Sequence, residues 1–123
     1  MLKPIKFVND HFLSSLDIST AEVFHVLELA KNFKNKKINF DPTNKVLGLI
    51  FDKSSTRTRV SFQVAMTRLG GTTIDLNPTT SQIGRGEPIK DTARVLSRYC
   101  DVIAIRTFDH SDLEEYAKWS TKP

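Results

Sequence analysis

Six consecutive residues, Val46-Leu47-Gly48-Leu49-Ile50-Phe51, are apolar, and no other stretch of the chain narrows the choice of fold as far. A strand with one face in water alternates apolar and polar residues. An unbroken apolar strand needs cover on both faces, as the central strand of a parallel sheet has. The run contains Gly48 and falls far short of the roughly 20 residues that a bilayer-crossing helix requires, so it predicts no membrane span.

The segments around this run alternate between helical and extended patterns. Ser19-Thr20-Ala21-Glu22 has the form of a capping box, and Val23, Val26, Leu27 and Ala30 follow at helical spacing, which predicts a helix over 20–36. Asp41-Pro42-Thr43-Asn44 reads as the turn into the central strand. Residues 56–69 return to helical spacing with Val60, Val64 and Met66 turned inward, and Gly70-Gly71 supplies the stop. A short strand over 72–76, a helix over 89–99, a strand over 102–107 and a helix over 111–119 complete the order, the last capped by Asp109 or Ser111. Residues 77–88, with Pro78, Gly84, Gly86 and Pro88 among polar residues, read as an exposed loop. The expectation is an α/β fold, a three-layer parallel sheet with helices on both faces, and ligands gathered beyond the carboxyl ends of its strands.

Composition excludes several functions. The 123 residues suit one domain, with 39% apolar and 26% charged content. Cys100 stands alone and no Cys/His spacing suits zinc, which fits a reducing cytoplasm. The start of the chain has no apolar run behind Lys3 and Lys6, so no export or organelle signal is expected there. The net charge of +4 comes with lysines at 31, 34, 36, 37 and 45, around an expected helix end that favours cations. Aromatic residues do not alternate with basic ones, so a nucleic-acid partner is not expected.

The chemistry concentrates after the central strand, in Asp52-Lys53-Ser54-Ser55-Thr56-Arg57-Thr58-Arg59. A strand-to-helix turn brings unpaired backbone N–H groups and the positive end of the helix dipole to one point, which suits a phosphate. The hydroxyls of Ser55, Thr56 and Thr58 can add donors, and the planar guanidinium of Arg57 can pair two phosphate oxygens at once, as a lysine could not. Arg57 and Arg59 lie about 200° apart around the helix, so Arg57 is assigned to the ligand and Arg59 to structure. No Gly-x-x-x-x-Gly-Lys loop is present and no Gly-x-Gly-x-x-Gly follows a strand, which argues against a nucleotide as the phosphate carrier. Arg106, near the carboxyl end of the third strand, should open onto the same crevice. His110 reads as a helix-start residue, and His11 and His25 carry no assigned role.

The stretch from Phe51 through Asp52-Lys53-Ser54-Ser55-Thr56-Arg57-Thr58-Arg59-Val60-Ser61 to Phe62 resembles the carbamoyl-phosphate signature of the aspartate/ornithine carbamoyltransferase family, and the likeness continues through Arg68-Leu69-Gly70-Gly71. Ser81-Gln82-Ile83-Gly84-Arg85-Gly86-Glu87-Pro88 with the helix after it, and Ile105-Arg106-Thr107-Phe108, are similar to the ornithine branch. The aspartate branch, with a lysine in the loop and His-Pro after the strand-end arginine, is the alternative. Asp52 departs from the usual Glu but keeps the charge. The resemblance implies that Ser55, Thr56, Arg57, Thr58 and Arg106 hold carbamoyl phosphate, with Arg57, Thr58 and Arg106 also catalytic. It implies the same ligand for Gln82, on a loop reaching a neighbouring subunit of a homotrimer or larger assembly. Transfer to L-ornithine would give L-citrulline and phosphate in arginine metabolism, with no metal or organic cofactor.

The family's His-Pro-Cys-Gln, Asp-x-x-x-Ser-Met-Gly and His-Cys-Leu-Pro motifs, and a fourth strand, belong beyond Lys122-Pro123. The expectation is therefore a carbamoyl-phosphate-binding domain over 1–123, incomplete at its carboxyl end, with ornithine held only by a further domain and no turnover by these residues alone. A natural truncated module that joins full-length subunits is the alternative from another class. An uncovered sheet edge predicts marginal stability and self-association of the isolated chain. Reversible, cooperative melting of a monomer in ultracentrifugation-checked samples would contradict this.

Overall fold

The computed structural model describes residues 3, 5–37, 41, 43–77 and 86–123. It divides into two compact units, Met1–Asp41 and Pro42–Pro123.

In the first unit a single 3-10 turn, Ser15–Asp17, leads into helix α1, Thr20–Lys34. The capping box forms as the sequence predicts: the Glu22 N–H donates to Ser19 Oγ at 3.1 Å and the Ser19 N–H donates to Glu22 Oε1 at 2.9 Å. The second Glu22 oxygen accepts from the Val8 N–H at 3.0 Å, so one carboxylate ties the incoming strand of chain to the helix start. These donors hold the Glu22 carboxyl below its ordinary range, the Ser19 backbone most of all. The helix ends two residues before the predicted 36. Lys36 takes φ 56, and the Lys37 and Lys36 N–H groups donate to Asn32 O at 2.8 Å and Phe33 O at 3.1 Å. This is a Schellman stop built on lysine, so no glycine marked it in the sequence.

In the second unit β1, Val46–Phe51, is the middle strand of a parallel sheet ordered β2-β1-β3, with β2 at Thr72–Leu76 and β3 at Val102–Arg106. The expected order of strands and helices is present, with α2 at Arg57–Arg68, α3 at Ile89–Tyr99 and α4 at His110–Trp119. Residues 47–51 of β1 are all buried. One face of the strand packs Ile50 against Ala93 and Leu96 of α3 and Tyr116 of α4. The other packs Leu47, Leu49 and Phe51 with Met66 of α2. The three layers follow from this division, and they are why both faces of β1 had to be apolar.

Helix α2 is rotated from the sequence expectation. Val60 and Val64, read as inward-facing, are 49% and 42% exposed. Met66, also read as inward-facing, does join the Leu47, Leu49 and Phe51 cluster; with it Arg59 is drawn to the sheet, and Phe62, though 38% exposed, meets Phe51 edge-on at 6.5 Å. These three recur at i, i+3 and i+7, one helical face, and an arginine within it broke the apolar pattern that made the valines look like the stripe. The stop at Gly70-Gly71 is as predicted. Gly70 has φ 80, and the Gly71 and Gly70 N–H groups donate to Met66 O at 2.8 Å and Thr67 O at 3.1 Å. A Cβ on Gly71 would lie 2.8 Å from the Lys45 carbonyl oxygen, so the second glycine permits the close approach of backbone.

At the opposite end of the strands from the β1–α2 turn, Asp101 accepts from the Val46 N–H at 2.8 Å while its own N–H donates to Val46 O at 2.8 Å, which closes the start of β1 onto the start of β3. After α4, Ser97 and Ser120 share a hydrogen bond at 3.2 Å, and the Ile103 N–H donates to Pro123 O at 2.9 Å along the outer edge of β3. Cys100 is buried, and burial followed by the Asp101 charge pushes its thiol up, so it stays protonated as a small apolar filler. Its Sγ would stand 2.9 Å from a Cβ on Gly48, which explains a glycine in the centre of the sheet. Gly48→Ala should therefore cost about 1–3 kcal/mol in denaturant unfolding, and adding Cys100→Ala should recover part of that loss, because the two share one small volume.

Candidate functional site

The ladder between β1 and β3 aligns Phe51 with Arg106, the last residues of the two strands. It extends one bond further, since the Asp52 N–H donates to Arg106 O at 2.8 Å. The β1–α2 turn and the strand end bearing Arg106 are thus joined by backbone. A long turn would have left their separation open, and the hydrogen bond does not. Lys53 in the turn lies 5.0 Å from the ring centroid of Phe108, just past β3, a second link between the same two segments.

Thr56 precedes α2 with φ −89 and ψ −55, and its side chain makes no capping hydrogen bond. The first N–H groups of the helix are therefore not taken by a Thr56 cap. Thr56, Arg57, Thr58 and Arg106 are all exposed and Ser55 is half-buried, so the side chains read from sequence line an accessible turn. The Thr58 carbonyl accepts from Ser61 Oγ at 2.8 Å, which leaves the Thr58 hydroxyl outside that bond. Gln82 lies outside the described residues. Together the turn, a helix start that the Thr56 side chain does not cap and two arginines can take a small dianion by charge-assisted hydrogen bonds.

Arg59 is held elsewhere, as its place on the helix predicts. Its Nη1 lies 3.3 Å from Asp75 Oδ2 and its guanidinium carbon 5.4 Å from the Phe51 ring centroid. His110 opens α4 and pairs with Glu114 one turn later at 3.5 Å, both side chains more than half exposed. The sequence reading missed the contacts of Asp75 with Arg59 and of Phe108 with Lys53, because each joins residues on different elements that are remote in the chain.

Residues 10–123 match the family described as aspartate/ornithine carbamoyltransferase, carbamoyl-P binding domain. The chain belongs to that family. It is 82% identical over all its 123 residues to an ornithine carbamoyltransferase of Prochlorococcus marinus strain MIT 9312, of which it covers 40%. The ornithine carbamoyltransferase structure from Pyrococcus furiosus superposes with a TM-score of 0.86 at 45% identity, covering 98% of this chain and 40% of that one. An aspartate transcarbamoylase from Trypanosoma cruzi, in complex with carbamoyl phosphate and aspartate, superposes at 0.85 with 27% identity, covering 100% and 42%. The chain thus spans about 40% of the length of the relatives it matches.

Tyr116 is buried on α4, and its hydroxyl is pushed up from 10.0 to about 12, by burial first and then by the charges of Asp52, Asp112 and Glu87. The folded state therefore keeps the proton that the unfolded state loses, so this contribution to stability is complete below pH 10.0 and declines as pH rises toward about 12. Ultraviolet titration should show a phenolate step near pH 12 that is missing in Tyr116→Phe, with stability falling across that interval in the parent chain.

Proposed function

We propose that this chain is the carbamoyl-phosphate-binding part of an ornithine carbamoyltransferase, which transfers the carbamoyl group to L-ornithine to give L-citrulline and phosphate. The observation that carries this reading is the bond from the Asp52 N–H to Arg106 O, which brings the strand end with Arg106 to the turn that leads into α2. One ligand can then meet both. The likeness to ornithine carbamoyltransferases, much greater than to the aspartate enzyme, favours ornithine as the acceptor. Ornithine itself would be held by residues beyond this chain, which covers under half of its relatives. Gln82 would complete the phosphate shell from a neighbouring subunit of a homotrimer or larger assembly, in the cytoplasm.

In this reading Ser55 and Thr56, with the first N–H groups of α2, hold the phosphate of carbamoyl phosphate, and Arg57 pairs two of its oxygens. The neutral side-chain amine of ornithine attacks the carbamoyl carbon, the bond from that carbon to the phosphate oxygen breaks, and the phosphate leaves with the proton that the amine gives up. Negative charge meanwhile grows on the carbonyl oxygen, where Thr58 and Arg106 donate, and on the departing phosphate beside Arg57 and the helix end. Each donor acts where charge develops, so its loss is felt more in the transition state than in the bound substrate. Removing one donor of this type costs about 3–4 kcal/mol of transition-state stabilisation.

In the full-length protein Arg57→Ala should abolish measurable turnover, and near-normal citrulline formation would exclude the role. The 123-residue chain alone should bind carbamoyl phosphate or inorganic phosphate weakly in calorimetry and form no citrulline.

A further inference from the structure

A helix end can serve an anion only if it is held at a fixed height and angle over the sheet. The apolar contacts of α2 lie beyond its first turn, at Phe62 and Met66. Within that turn Arg57, Thr58 and Val60 are exposed, and Arg59 is the one side chain drawn onto the sheet. Its guanidinium bridges two strands: Asp75 on β2, opposite Leu49 in the ladder, and the Phe51 ring at the end of β1. The ion pair is partly withdrawn from water, with side-chain exposures of 24% and 28%.

We infer that Arg59, anchored by Asp75, is a positioning residue for the carbamoyl-phosphate site, fixing the first turn of α2 so that Ser55, Thr56, Arg57 and Thr58 converge on one point. The inference rests on the function proposed above. Arg59 does not reach the ligand; it lies about 200° around the helix from Arg57. Stability alone gives a poor account of a charge in this position. Its Nε is buried and has no hydrogen-bond partner among the described residues, a cost that an apolar side chain of similar length would not carry. What an apolar side chain could not supply is orientation. A planar guanidinium that meets a carboxylate on one strand through Nη1 and lies over an aromatic ring on the next is restricted in orientation, and the compact ammonium of a lysine would not make both contacts in that geometry.

The test uses the full-length protein with Arg59→Met, Arg59→Lys, Asp75→Asn and, in parallel, Arg57→Ala. The readouts are KM for carbamoyl phosphate and for ornithine, inhibition by inorganic phosphate, and the thermal midpoint. In Arg59→Met and Arg59→Lys, KM for carbamoyl phosphate and Ki for phosphate should rise together, roughly tenfold to a hundredfold, as displacement of a binding group by about 1 Å does. Asp75→Asn should move both in the same direction, with KM for ornithine little changed. A merely structural role would lower the thermal midpoint and leave the phosphate Ki where it was. If the Arg59 variants fail to fold, Asp75→Asn, an isosteric change at a partly exposed side chain, decides alone. An unchanged phosphate Ki in Asp75→Asn, or full rescue by Arg59→Lys, overturns the inference. Should Arg57→Ala also leave the phosphate Ki unchanged, the site reading itself fails; if it raises Ki while the others do not, only the positioning role falls.

Discussion

The parallel pairing of β1 with β3 is the constraint on which the candidate site depends. Two strand ends that share a register, Phe51 beside Arg106, have no freedom to separate, and the added bond from the Asp52 N–H carries that coupling into the turn itself. The pairing in turn depends on burial. β1 can stand in the middle of the sheet only because α2 covers one face and α3 with α4 the other, and because Gly48 leaves room for the Cys100 sulfur. Core packing and anion site are therefore consecutive consequences of one strand.

The two ends of the sheet divide the polar work. At the amino-terminal end, Asp101 satisfies the first backbone donor of β1 and joins it to β3, a purely architectural use of a carboxylate. At the carboxyl-terminal end the donors of α2 are left uncapped by Thr56, while arginine and hydroxyl side chains stay accessible. Polar groups that serve the architecture at one end and stay accessible at the other separate stability from ligand recognition along the strand axis, as open α/β sheets do.

Much of the fold was legible from local chemistry. The capping box at Ser19 and Glu22, the double-glycine stop at Gly70 and the unbroken apolar strand are each written in a few adjacent residues, and each forms as read. The failures have the opposite character. Lys36 ends α1 in a left-handed conformation that nothing in its neighbourhood signals. The inward face of α2 was misread because Arg59 occupies an apolar position, and its reason for being there, Asp75, lies on another strand. A periodicity argument counts apolar residues, so a half-buried ion pair at the interface shifts the apparent stripe by about one residue's rotation, about 100°.

The linear chain by itself determined the order of elements, the double-sided burial of β1 and the donor types gathered after it, because hydrophobic period, caps and turn residues act over a few bonds. It also carried the family's signature, from Phe51 to Phe62. Only the folded form decided which helix face meets the sheet, that Arg106 stands beside the β1–α2 turn, and that Arg59 braces α2 against Asp75 and Phe51. Those relations join residues tens of positions apart in the chain, and their distances come from strand register and side-chain packing, which no short window of sequence contains.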